Sequence, residues 1–205
     1  MGERLGVVRA WARRERRGLA VLVVSTLVHA VAWGGTTRPM GDSADYRLAA
    51  RVVFSGWDQL TERAPGYPTV LWLTGSTGGE TVALLVVQAL MHAAAVLLVV
   101  DLARRVGVGR RWQLALAVLL VTPPQMMKIV HAGTEATTEV LVVLIVWLAW
   151  RWQETRRTAL LPLLGLAVGA AALVRPTYQL LVVPLVALVL WWSRGERPDA
   201  SDRPV

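Results

Sequence analysis

The sequence predicts an all-α membrane protein of about six transmembrane helices, with an amphipathic helix in its first outer loop. Three observations predict it. Apolar residues make up 55% of the 205-residue chain and mean hydropathy is +0.47, against roughly 45–50% apolar in an ordinary soluble domain. Charged residues are only 18%, and they gather in short stretches between apolar runs, as in a polytopic chain. Ten Trp stand against one Phe, and most fall near segment ends, where an interfacial aromatic belt belongs.

Taken in order, residues 1–17 are basic, with Arg13-Arg14 and Arg16-Arg17 directly ahead of the first apolar run. This predicts a cytoplasmic N-terminus. Gly18 to Trp33 is the first span, short against the ~20 residues a bilayer needs, so it borrows from both ends. It lacks a convincing small-residue cleavage site and reads as an uncleaved first helix. Residues 34–66 form the first outer loop. Tyr67 to Leu73 is too short to cross and is expected to dip into the interface. Thr81 to Leu102 is a clean span ending in Arg104-Arg105, followed by a tight inner turn. Trp112 to Val121 opens a third span, interrupted by Pro123-Pro124. Gln125 to Thr138 is a polar outer segment, and Glu139 to Trp150 is a fourth span. Ala159 to Val174 and Tyr178 to Trp192 are two further apolar runs, read as two spans or as a membrane-dipping hairpin. They close the membrane domain, 18–193, and 194–205 is a polar tail expected to be disordered.

With the N-terminus inside, all but six of the 22 basic residues fall on the cytoplasmic side; the exceptions are Arg38, Arg47, Arg51, Arg63, Lys128 and Arg175. That bias fits the positive-inside rule and places both termini in the cytoplasm of a multi-pass cell-membrane protein. The same grouping disposes of a nucleic-acid reading of the +8 net charge, which needs a continuous basic face. The absence of Cys excludes disulfides, thiol catalysis and zinc–thiolate sites.

The chemistry concentrates in Asp42 to Pro68. Asp42, Asp45 and Tyr46 stand at i, i+3 and i+4, and Leu48, Ala49, Val52 and Val53 recur at helical spacing, predicting a short amphipathic helix. Asp42 or Ser43 is placed to cap its start and Gly56 to end it. Arg63 to Pro68 then makes a stiff turn. The two aspartates suit a general base for an acceptor hydroxyl, a ligand for a divalent metal, or a cap with solvated surface charge. Arg63 suits a phosphate grip or a lipid-headgroup contact. Glu135 and Glu139, four apart beside Lys128, suit a second acidic group closing on the same site, or a helix N-terminus that favours acids. Arg175, between two apolar runs, suits an anionic headgroup, an outer carboxylate, or snorkelling to the interface. His29 and His92, inside spans, are read as polar contacts between helices. No metal-ligand set is assigned.

Arg63-Ala64-Pro65-Gly66-Tyr67-Pro68 resembles the basic-x-Pro-x-Tyr stretch of polyprenyl-phosphate-dependent glycosyltransferases. These include the dolichyl-phosphate-mannose protein mannosyltransferases and the bacterial aminoarabinose transferases of lipid A. The order of features over Leu19 to Leu190 resembles theirs too: the acidic loop, the turn, Leu102 to Arg105, Thr122 to Pro124, Thr138-Glu139, and Leu173 to Thr177. The resemblance implies a GT-C-like module that transfers a sugar from an isoprenoid phosphate to a lipid, glycan or protein acceptor at the outer face, with inversion. Carried over by position, Asp42 or Asp45 matches the first-loop catalytic acid, and Tyr46 the aromatic after it. Arg63 matches the phosphate-holding base, and Glu139 or Glu135 the second acidic position, where relatives have Asp. Tyr67, Lys128 and Arg175 join the expected substrate contacts. Family members carry roughly twice as many spans, so a partner-dependent subunit completed by another protein is one rival reading. A small lipid or sugar flippase is the other.

Overall fold

The computed structural model describes residues 37–39, 41–55, 63–121 and 131–194. All regular structure among them is helical, apart from one isolated bridge between Arg38 and His131. The order is α1 (Ser43–Val52), α2 (Gly66–Leu73), α3 (Val82–Arg105), α4 (Arg110–Leu120), α5 (Glu135–Thr155), α6 (Leu160–Val174), a 3₁₀ turn (Pro176–Leu181) and α7 (Val182–Arg194). Two helical stretches, Val82–Arg105 and Pro176–Ser193, are long and apolar enough to cross a bilayer. The first span, Gly56, Lys128, Pro123-Pro124, His29 and the polar tail lie outside the described residues.

Helix α3 runs along α5, and α5 along α6. The α5–α6 seam buries Ile145, Leu148 and Ala149 against Leu164, Ala167, Val168 and Ala171. Small side chains at Ala149, Ala167 and Ala171 let the two backbones approach closely along this seam. Thr81 opens α3 as expected of a cap: its hydroxyl accepts the Leu84 N–H at 3.1 Å. This answers one of the orphan donors of the first turn.

Two boundaries differ from the sequence expectation. Helix α5 begins at Glu135, four residues before the expected Glu139. Its first turn is polar and reads as loop, but Ala136, Thr137 and Thr138 are buried. An acid at position 135 also suits the positive end of a helix. At α1, Asp42 occupies the N-cap position without a side-chain cap bond. The Ser43 hydroxyl, one residue inside the helix, donates to the Ala132 carbonyl at 2.8 Å. The Asp42 carboxylate is turned outward to Arg63.

Helix α2 is the expected short segment, and its Tyr67, Pro68 and Leu71 are buried. It crosses α6 at Gly66. A Cβ there would lie 2.7 Å from the Leu173 carbonyl carbon and oxygen and 2.8 Å from Val174 Cγ2. Backbone cannot swing aside as a side-chain end can. Gly66→Ala is therefore expected to destabilise by about 1–3 kcal/mol, the usual cost of overpacking. Gly165→Ala and Gly169→Ala, whose added methyl meets nothing within 4 Å, are the controls. Thermal unfolding in one detergent compares the three.

Candidate active site

The turn at residues 63–68 and helix α1 face each other across one side-chain cluster. Tyr46 and Tyr67 meet edge to face, with ring centroids 5.2 Å apart at 84°. Both are buried, with Ala50, Leu71, Leu84, Ala132 and Val174 around them. On this floor the Arg63 guanidinium lies over the Tyr46 ring at 5.0 Å. Its two terminal nitrogens divide between the acids of α1: one donates to Asp45 Oδ2 at 2.9 Å, the other to Asp42 Oδ2 at 3.3 Å. The i, i+3 spacing of the acids makes this fork geometry reachable.

The Asp45 hydrogen bond, with the Asp42 charge adding to it, holds the Arg63 pKa above its ordinary value. Arg63 is a permanent cation. Burial, followed by the nearby Glu135 charge, pushes the Tyr67 phenol above the usual tyrosine range, so it stays protonated and donates to Gln88 Oε1 at 3.5 Å.

A cleft of about 300 Å³ opens beside this cluster, lined by Gly41, Asp42, Tyr46, Ala132, Thr134, Glu135 and Arg175. Three separate stretches of chain build it. Asp42 and Tyr46 come from the start of α1. Ala132, Thr134 and Glu135 come from the entry to α5. Arg175 follows α6, in extended backbone that breaks the helix ahead of Pro176. Arg175 reaches Glu135 Oε1 at 3.6 Å. The other Glu135 oxygen is buried without a hydrogen-bond partner, an unusual state that leaves an acceptor ready for a donor. The cleft is thus lined by two acids, Asp42 and Glu135, and one cation, Arg175, with Arg63 beside it on the outer side of Asp42. Chemically, such a lining suits an anion at Arg175 and a hydroxyl beside an acid.

Of the residues singled out by sequence, Asp42, Asp45, Tyr46, Arg63, Glu135 and Arg175 come together around this cleft. Tyr67 is fully buried beneath Tyr46. Glu139, one turn beyond Glu135, points elsewhere: its Oε2 lies 2.9 Å from His92 Nδ1. Lys128 lies outside the described residues. Thr134 and Ala132 were not anticipated as lining residues. Their only sequence signal is that they precede the Glu135 turn. Among the described residues no group of three or more His, Asp or Glu side chains is placed to hold a metal ion.

A family model described as dolichyl-phosphate-mannose-protein mannosyltransferase matches residues 62–201. The match opens at the Arg63 turn and takes in Glu135, Glu139 and Arg175, while Asp42, Asp45 and Tyr46 precede it. No curated protein matches the chain, and no solved structure does.

Proposed function

From the premise that the chain belongs to the dolichyl-phosphate-mannose-protein mannosyltransferase family, we propose that it transfers a sugar from a polyprenyl-phosphate carrier to an acceptor hydroxyl. The carrier lipid lies in the membrane, and the cleft faces its outer side, with both chain termini cytoplasmic and about six spans in all. The observation that carries the reading is the Arg63 fork across Asp42 and Asp45, next to a cleft that Asp42 and Arg175 both line.

The reaction needs an anion hold, a base and a dry floor. Arg63 is a permanently charged fork that suits a phosphate as well as it suits two carboxylates. The donor phosphate takes over part of this fork, and Arg175 faces it from the far wall. Asp42, released from Arg63, accepts the proton of the acceptor hydroxyl. The acceptor oxygen forms a bond to the anomeric carbon as the bond from that carbon to the phosphate oxygen breaks. The phosphate leaves with the electron pair, stabilised by the two arginines. Attack from the opposite face inverts the anomeric centre.

Asp42 is preferred to Asp45 as the base because it lines the cleft, while Asp45 makes the shorter bond to Arg63 and orients it. Glu135, with its free oxygen, takes the second acidic role in preference to Glu139, which is tied to His92. Tyr67 acts indirectly, by holding the Tyr46 ring under Arg63.

The test of the phosphate hold is a titration of a short-chain isoprenyl phosphate onto the purified full chain in lipid nanodiscs. Saturable binding that weakens with salt is expected, with the corresponding alcohol binding at least tenfold more weakly. Equal binding of phosphate and alcohol would remove the anion site from the reading.

A further inference from the structure

Two polar side chains stand one turn apart on α3, in the middle of a helix apolar enough to cross a bilayer: Gln88 and His92. Both are fully buried. Buried polar groups in such a helix are costly unless each finds a partner. Here each has a backbone carbonyl of another segment among its partners. His92 Nε2 lies 3.0 Å from the Leu120 carbonyl oxygen, at the end of α4. A carbonyl only accepts, so Nε2 carries the proton and donates it. Gln88 Nε2 donates to the His131 carbonyl at 2.8 Å, just before α5.

The sequence explains why Leu120 needs an outside donor. Its carbonyl would accept the N–H of residue 124 in a continuing helix, and residue 124 is proline, which has none. His92 Nε2 supplies a donor to that carbonyl. Its other nitrogen, Nδ1, lies 2.9 Å from Glu139 Oε2, within hydrogen-bond distance. One histidine therefore joins α3, the end of α4 and the first turns of α5. Gln88 is fixed in turn, because its Oε1 accepts from Tyr67. The carbonyls so held flank the stretch between α4 and α5. That stretch delivers Ala132, Thr134 and Glu135 to the cleft wall.

We propose that Gln88 and His92 are positioning residues of the cleft: a two-point clamp on α3 that fixes where the chain leaves α4 and where it enters the wall at 131–135. Neither touches the cleft. Their effect passes through backbone carbonyls, and for His92 also through the Glu139 carboxylate. The catalytic consequence rests on the function proposed above; the clamp itself does not.

The experiment is hydrogen–deuterium exchange on the purified full chain in nanodiscs, read over residues 131–138, with 145–149 as an internal reference. Gln88→Leu, His92→Leu and His92→Gln are compared. Each leucine variant is expected to raise exchange at 131–138 about tenfold or more while the reference is unchanged, because a lost tether frees local opening. His92→Gln, which retains an N–H donor, is expected to recover much of the protection. A packing role alone gives the opposite order, since leucine fills an apolar interface better than glutamine. Wild-type exchange in Gln88→Leu, or glutamine no better than leucine at position 92, would overturn the clamp. Gln88→Leu disturbs no charged partner and keeps the test decisive should His92→Leu fail to fold. Isoprenyl phosphate titrated onto the same samples separates the two ideas. Loose 131–138 with no phosphate binding by the wild type would leave the clamp standing and remove the proposed function.

Discussion

Asp42→Asn is expected to lower kcat about 10²–10⁴-fold, the usual contribution of a positioned base, with the fold intact. The substitution is nearly isosteric. Asp42 makes no cap bond, and its ion pair with Arg63 is largely exposed, a kind of pair worth roughly 0–1 kcal/mol. Stability therefore has little to lose, and a loss of turnover reads as chemistry. Asp45→Asn is the informative comparison. It removes the 2.9 Å bond that orients Arg63 and leaves the base in the cleft, so its effect should appear mainly in KM for the donor. Steady-state kinetics beside thermal unfolding separate the two. A loss of turnover confined to Asp45→Asn would exchange the roles of the two acids.

Arg63 carries the second large effect. Arg63→Ala removes the charge-assisted fork, for which a loss of about 10²–10³ in kcat/KM is expected. It also leaves Asp42 and Asp45 close together with no cation between them. Arg63→Lys is expected to recover little. An ammonium neither spans two acceptors as a planar fork nor stacks on the Tyr46 face as guanidinium does. Because the acids raise the Arg63 pKa above an already high value, the guanidinium contributes no alkaline limb to the pH profile. The measurement is donor titration of each variant. Full activity in Arg63→Lys would mean that a point charge suffices and that the fork geometry has no role.

Much of the fold was legible because apolar runs and arginine clusters report helix positions directly. Helices at the expected apolar run of residues 81–102, at the short segment 67–73 and at the start of the first loop, Ser43–Val52, all appear near their expected places. What escaped was set by distant contacts. Glu135 and Glu139 are equivalent by spacing, four apart on one helix. Only the packing of α3 turns Glu139 to His92 and leaves Glu135 to the cleft. Asp42 reads as a cap from its neighbours alone. Its carboxylate instead goes to Arg63, 21 residues away, because a cation fork outbids a neutral backbone amide for a carboxylate. The early start of α5 was hidden by a polar first turn whose residues are buried by tertiary packing rather than by their own hydropathy. The pairing of His92 with the Leu120 carbonyl, four residues before Pro124, was readable in part. The proline announces a carbonyl without a helix donor, but not which helix answers it.

The most direct measurement is transfer itself. Purified full chain in lipid is incubated with radiolabelled polyprenyl-phosphate sugars and an extract of acceptor membranes, with Asp42→Asn run alongside. The expected result is label passing to an acceptor with wild type and not with the variant. No transfer from any such donor, by a wild-type protein that still binds isoprenyl phosphate through Arg63, would contradict a catalyst and leave a partner-dependent lipid-phosphate-binding subunit in its place.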